Sequence, residues 1–191
     1  MSPIVNVFGV SGVGKTSACR SFVRRHSGYL HLIASAVLSE VTGLSPKELG
    51  RRDTDEIVRQ QALLIDAVVE RTKSCQDVVT LLDGNAIIDT GDDLVPVPVQ
   101  LMTRLGPSGM ILLEAPPEVI RSRRLADNKY RSGRTVLEIA LQMEATRQVV
   151  QNFSSELGIP LEKGSSAHGE FDRAVFALLK QIKTSFSQDN A

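Results

Sequence analysis

Five short apolar runs punctuate the chain: Ile4 to Phe8, Tyr29 to Ile33, Val78 to Leu82, Met110 to Leu113 and Ile159 to Leu161. Their apolar residues follow one another rather than alternate with polar ones. That pattern predicts strands buried on both faces, as in a parallel sheet. The intervening segments carry helical spacing. Lys15 to Arg25 is followed by Gly28, and Ser35 to Val41 has Ser35 as a candidate N-cap and Gly43 after its end. Thr54 to Lys73 places Ile57, Leu64, Ile65, Val68 and Val69 on one side. Pro117 to Leu125, Thr135 to Leu157 and Glu170 to Ile182 complete the set. Strands alternating with helices predict an α/β fold, and right-handed crossovers put helices on both faces of the sheet.

The first strand runs into Gly9-Val10-Ser11-Gly12-Val13-Gly14-Lys15-Thr16, with Ser17 next. This is the pattern G-x-x-x-x-G-K-[ST], set between a strand and a helix as its chemistry requires. Glycines let the backbone wrap a phosphate chain with its N–H groups turned inward. The helix that follows offers unpaired N–H groups and the positive end of its dipole. Lys15 brings a point charge to the β and γ phosphates, and Thr16 an oxygen for Mg²⁺. A plain glycine turn is the alternative, but chance produces the pattern in under about one per cent of chains this long.

The third run ends at Asp83. A carboxylate at the C-terminal end of a buried strand faces the crevice where such sheets bind ligands. Asp83 is therefore expected to hold Mg²⁺, directly or through water, its alternative being a turn with Gly84.

Two segments are rich in cations. From Arg121 to Arg134 there are six cations and one anion in fourteen residues. Phosphoryl transfer is catalysed by positioning and by neutralising charge, and such a patch suits a segment that closes over phosphates. A basic surface loop is the alternative. The second group is Arg51, Arg52 and Arg59, with Gln60 and Gln61 alongside and Asp53 and Asp55 among them. A phosphate acceptor needs such a cluster; simple pairing with the two acids is the alternative. Arg147 sits in the long helix after the basic segment. His26, His31 and His168 lack metal-ligand spacing and read as ordinary helix-end, strand and loop residues.

Composition narrows the remaining classes. The 191 residues carry 42% hydrophobic and 23% charged residues, with 22 Lys+Arg against 22 Asp+Glu. This suits one globular domain and not a surface built wholly for nucleic acid or anionic membrane. Cys19 and Cys75 are the two cysteines, too few for a disulfide framework. No apolar run approaches the ~20 residues of a membrane span, and the N-terminal stretch lacks a secretory pattern, so a cytoplasmic location is expected.

With these residues in hand, the chain resembles a P-loop nucleoside monophosphate kinase, and more closely the archaeal-type adenylate kinase family. The resemblance runs from Ile4 to about Leu179. Its carriers are Val7 to Thr16, Glu48 to Glu70, Leu82-Asp83-Gly84-Asn85 and Leu94-Val95-Pro96-Val97-Pro98 ahead of a helix. Ile111 to Pro117 leading into Arg123, and Arg147 before Gly158, complete them. It implies a three-layer P-loop kinase fold with a five-stranded parallel sheet, one domain over 1–184 and a flexible tail over 185–191. A monophosphate-binding region over about 35–73 and a small lid over about 118–138 would flank the site. It also implies ATP and Mg²⁺ as cofactors, a nucleoside monophosphate as the other substrate, and points toward homo-oligomers.

Carried over residue by residue, Gly9 to Thr16, with Ser17, would hold the ATP phosphates, and Arg123 would meet the ATP base. Lys15, Arg123, Arg131, Arg134 and Arg147 would be catalytic. Ser35, Arg51, Arg52, Arg59, Asp83 and Asn85 would serve the acceptor, with Thr16 and Asp83 at the metal. The chain departs from the family at Asn85, where a histidine is usual, and at Ile33-Ala34-Ser35, where a small residue plus Thr or Asp is usual. The expected reaction is transfer of the ATP γ-phosphoryl group to a monophosphate, most simply AMP. The alternatives are a kinase of a small hydroxyl metabolite, with Asp83 as base, or an ATPase or switch module.

Overall fold

The computed structural model describes residues 3–45, 48, 53–75, 77–127, 133–167 and 169–188, without the side chains of 185–188. In chain order the elements are β1 (Ile4–Phe8), α1 (Lys15–Arg25), β2 (Tyr29–Ile33), α2 (Ala34–Thr42), α3 (Thr54–Lys73) and β3 (Val79–Asp83). Then follow β4 (Ile87–Asp89), β5 (Leu94–Pro96), α4 (Val99–Leu105), β6 (Gly109–Leu113), α5 (Pro117–Ala126), α6 (Val136–Leu157), β7 (Leu161–Gly164) and α7 (Glu170–Gln188).

Four of the apolar runs become strands of one five-stranded parallel sheet, in the order β2-β3-β1-β6-β7; the fifth strand, β7, starts only at Leu161, the last residue of the run Ile159 to Leu161, and continues through the polar Glu162-Lys163-Gly164. The central strands β1 and β6 are buried throughout, as a continuous apolar run predicts. Both edge strands, β2 and β7, are only partly buried, because each has a neighbour on one side alone. The pattern does not foresee the antiparallel pair β4–β5, whose strands are three residues each and too short to carry a period.

Helix ends follow local chemistry. Asp53 caps α3 by accepting the Glu56 N–H at 2.8 Å. Thr135 and Glu138 form a reciprocal capping box at the start of α6. Ser35 is not the N-cap of α2: the helix begins one residue earlier at Ala34, with Ile33 at the cap and no side-chain bond there. The last helix continues to Gln188, beyond the Ile182 at which its spacing gives out.

Two cores lie on opposite faces of the sheet. One joins Phe8, Leu82 and Leu112 to α2, α3, α4 and the later turns of α6 through Leu38, Leu64, Met102 and Phe153. The other joins Val5, Val7, Leu81 and Ile111 to α1, α5 and α7 through Phe22, Ile120 and Leu178. Helices on both faces of a sheet make the three layers. Neighbours on the two sides of β1 are reached by chain running in opposite directions, so the crevice beyond the carboxyl ends of β1 and β3 is where a ligand belongs.

Phe22 is fully buried, with Tyr29 and Phe171 edge-on at centroid separations of 4.8 and 5.8 Å. Phe22→Ala is predicted to lower the unfolding free energy by about 3–5 kcal/mol, measured by urea titration, since the ring has no solvent to relax into.

Candidate active site

Gly9 to Thr16 wraps the C-terminal end of β1. Gly9 and Gly14 adopt φ of +146° and +108°, and a Cβ at Gly9 would come 2.6 Å from the Leu113 carbonyl oxygen. At Gly14 it would come 2.7 Å from the Ser166 side chain. Both positions therefore require glycine. Val10 and Val13 are buried in the core beneath the loop, which ties the phosphate-binding turn to the sheet.

Lys15 is 8% exposed, and its ammonium donates to Gly9 O at 2.6 Å, Val10 O at 3.3 Å and Asn85 Oδ1 at 2.9 Å. Thr16 Oγ1 donates to Asp83 Oδ2 at 2.5 Å. The parallel pairing of β1 with β3 brings this about, for Val7 is in register with Asp83. Burial alone would raise the Asp83 carboxyl. His31, the Lys15 charge and the Thr16 hydroxyl outweigh it and hold the group below the ordinary carboxylate range. His31, read from sequence as an ordinary strand residue, lies with Nε2 3.7 Å from Asp83 Oδ2 and its side chain 8% exposed. Leu81 pairs with His31 and Asp83 with Ile33, so His31 lies one step below the acid on the same sheet face. Knowing that β2 neighbours β3 would have revealed it. Cys19, one helical turn past Thr16, is fully buried; burial, aided by Asp83, pushes its thiol far up, so it stays protonated.

A cleft of about 1050 Å³ opens from this point. Ser11, Gly12, Gly14, Lys15, Thr16, Ser17 and Asp83 line one part, with Arg123 and Ser166 beside them. Arg123 Nη1 donates to Val13 O at 2.7 Å and to Ser166 Oγ at 3.3 Å, so it sits against the phosphate-binding loop. The cleft continues past Asn85 to Ser35 and Leu38 of α2, Ile57, Gln60, Gln61 and Leu64 of α3, and Ile88 of β4.

The other cations stand differently. Arg59 points outward, 66% exposed, and pairs with Glu56 at 3.0 Å. Arg134 is held by Asp89 at 2.8 Å and Glu138 at 3.3 Å. Arg147 engages Glu114 at 2.7 Å and also Glu144. None of these three is among the residues lining the cleft. Arg51, Arg52 and Arg131 lie outside the described residues, as does His168. Arg124, indistinguishable in sequence from the other cations of its segment, is 9% exposed and donates to Ser11 O at 2.8 Å and Gln142 Oε1 at 3.0 Å. Gln142 in turn reaches Asp89 Oδ2 at 3.4 Å. A polar chain thus runs from the phosphate-binding loop through α5 and α6 to β4.

The Thr16 hydroxyl and Asp83 carboxylate are hard oxygen donors, the set that suits Mg²⁺. Among the described residues no group of three His, Cys, Asp or Glu side chains could hold a metal by itself. No described helix is long and apolar enough to cross a membrane.

Because the Asp83 carboxyl titrates below its ordinary 3.8 in the fold, its contribution to stability is full above that pH. It is lost as the pH falls through the lower folded value. Asp83→Asn is therefore predicted to be less stable than wild type at neutral pH and to lose stability more shallowly on acidification, read from urea midpoints at pH 7 and about pH 3.

Known proteins resemble the chain in sequence and in fold. It is 27% identical over 140 residues to an adenylate kinase of Methanopyrus kandleri, covering 69% of this chain and 71% of the relative. It is 28% identical over 130 residues to an adenylate kinase of Pyrococcus horikoshii, covering 66% of each. A gluconokinase from Sinorhizobium meliloti superposes with TM-score 0.56 at 15% identity, over 98% of this chain and 97% of that one. A shikimate kinase from Acinetobacter baumannii, in complex with shikimate, gives 0.57 at 15% identity, over 97% and 95%. Residues 8–140, from the end of β1 through the phosphate-binding loop and Asp83 to the first turns of α6, match the AAA-domain family. With that match over more than half its length, the chain belongs to the AAA-domain family, carried on a P-loop kinase fold.

Proposed function

We propose that this protein transfers the γ-phosphoryl group of ATP to a nucleoside monophosphate, AMP foremost. The observation that carries the reading is the two-part cleft: the phosphate-binding loop and Asp83 open into a second compartment walled by α2, α3 and β4. Sequence similarity to the two archaeal adenylate kinases supports the choice of acceptor.

The chemistry asks for positioning and charge. The glycine-rich backbone and Lys15 hold the triphosphate, the ammonium exchanging its carbonyl partners for phosphate oxygens. Arg123 borders the same half of the cleft, where it contacts the donor nucleotide. Thr16 and Asp83 would hold Mg²⁺, which would supply positive charge against the negative charge of the phosphates. Arg134, now paired with Asp89, exchanges that carboxylate for phosphate as the lid closes. Closure excludes water that would otherwise hydrolyse the donor. A phosphate acceptor is already an anion and needs no general base.

A hydroxyl acceptor, as in the gluconokinase and shikimate kinase folds, needs a carboxylate base. Asp83 is poorly suited to that role, its basicity being lowered by its neighbours and its Oδ2 occupied by Thr16. The test is a coupled assay of ATP with AMP, GMP, CMP, UMP and dTMP, run beside gluconate and shikimate. Diphosphate is expected with at least one monophosphate; none from any of the five overturns the reading. Lys15→Met is predicted to lower kcat about 10²-fold or more while the protein stays folded by circular dichroism. EDTA is predicted to abolish turnover, and added Mg²⁺ to restore it.

A further inference from the structure

Two carboxamides, Gln60 and Gln61, face the second compartment from α3, between apolar walls that include Leu38, Ile57, Leu64 and Ile88. Such walls suit a flat ring, and carboxamides supply in-plane hydrogen bonds to its edge. Gln60 is 2% exposed, and its amide faces a carboxylate. Its Nε2 donates to Glu56 Oε1 at 3.2 Å, one helical turn earlier. An ionised carboxylate only accepts, so the group facing Glu56 must be the NH₂; a flipped amide would set oxygen against oxygen. Glu56 is itself held. Its second oxygen takes Arg59 Nε at 3.0 Å, and its backbone N–H caps onto Asp53 at 2.8 Å. The Gln60 carbonyl oxygen is thereby left over, and among the described residues it accepts from no donor.

We propose that Gln60, oriented by Glu56, is a specificity-determining residue that presents an acceptor to the exocyclic amino group of the acceptor base. A 6-aminopurine or 4-aminopyrimidine donates to Gln60 Oε1. A 6-oxo or 4-oxo base sets its own oxygen against it and leaves two acceptors facing in a desolvated pocket, which costs far more than a lost methylene. Arg59 gains a role from this that its outward position hides: it is a positioning residue that helps fix Glu56, two steps from the ligand. The inference rests on the monophosphate reading and deepens it.

AMP and IMP differ at this one ring substituent and are the probe pair, with CMP and UMP as the pyrimidine counterpart. Wild-type kcat/KM is expected to favour AMP over IMP by about 10²-fold or more. In Glu56→Gln the new amide can donate as well as accept, so Gln60 is released to turn its NH₂ outward. The AMP/IMP ratio is expected to fall about tenfold, through KM, with kcat for AMP within about twofold of wild type. Gln60→Leu, close in volume and free of the amide, is expected to lower kcat/KM for AMP about tenfold and to narrow the same ratio. Ratios unchanged in both variants, with AMP turnover retained, overturn the assignment, as does a wild-type enzyme indifferent to amino and oxo bases. A wild type that phosphorylates none of the monophosphates overturns the proposed function, and this inference with it.

Discussion

The buried ammonium of Lys15 is the group on which the site depends. A charge withdrawn from water costs several kcal/mol unless oxygens replace its hydration. Here two carbonyls of the preceding loop and the Asn85 side chain do so, with the Asp83 carboxylate nearby. That demand fixes the loop's shape, since Gly9 and Val10 must turn their carbonyls inward. It also fixes the neighbourhood, since β3 must end beside β1 for Asp83 and Asn85 to arrive. Asn85 departs from the resembled family's pattern, and the structure gives it work: it braces the lysine.

The same demand for partners links the loop to β4 and the start of α6. Arg124 grips the Ser11 carbonyl and Gln142, Gln142 reaches Asp89, and Asp89 holds Arg134. Each group satisfies a neighbour that burial would otherwise leave unpaired. The phosphate loop, α5, α6 and β4 are thus joined by one polar chain, with Arg134 at its far end.

Much of this was legible in the residues. The runs Ile4 to Phe8 and Tyr29 to Ile33, and the spacing from Thr54 to Lys73, mark their elements to the residue, because period and apolar content agree there. Gly9 to Thr16 announced its chemistry because backbone shape dictates residue type at each position. The contribution of His31 was hidden, since it depends on which strands are neighbours. Arg124 was hidden among five other cations in its segment, and only packing separates the buried one from the exposed ones. The directions taken by Arg59 and Arg147 were hidden too, because a helix period gives a face but not the partner across from it.

The sheet order carries a consequence for how the chain must come together. β1 precedes both of its neighbours, β3 and β6, in the chain, with Val5 opposite Leu81 and Gly109. The centre of the sheet therefore closes only through pairings more than seventy residues apart in sequence. On the ribosome, β1 and the glycine loop emerge without a partner and wait for β3, and for β6 after it. Such long-range closure makes for slow folding, with an apolar strand exposed in the interval. A nascent β1 is thus a segment in need of shelter until β3 has been made.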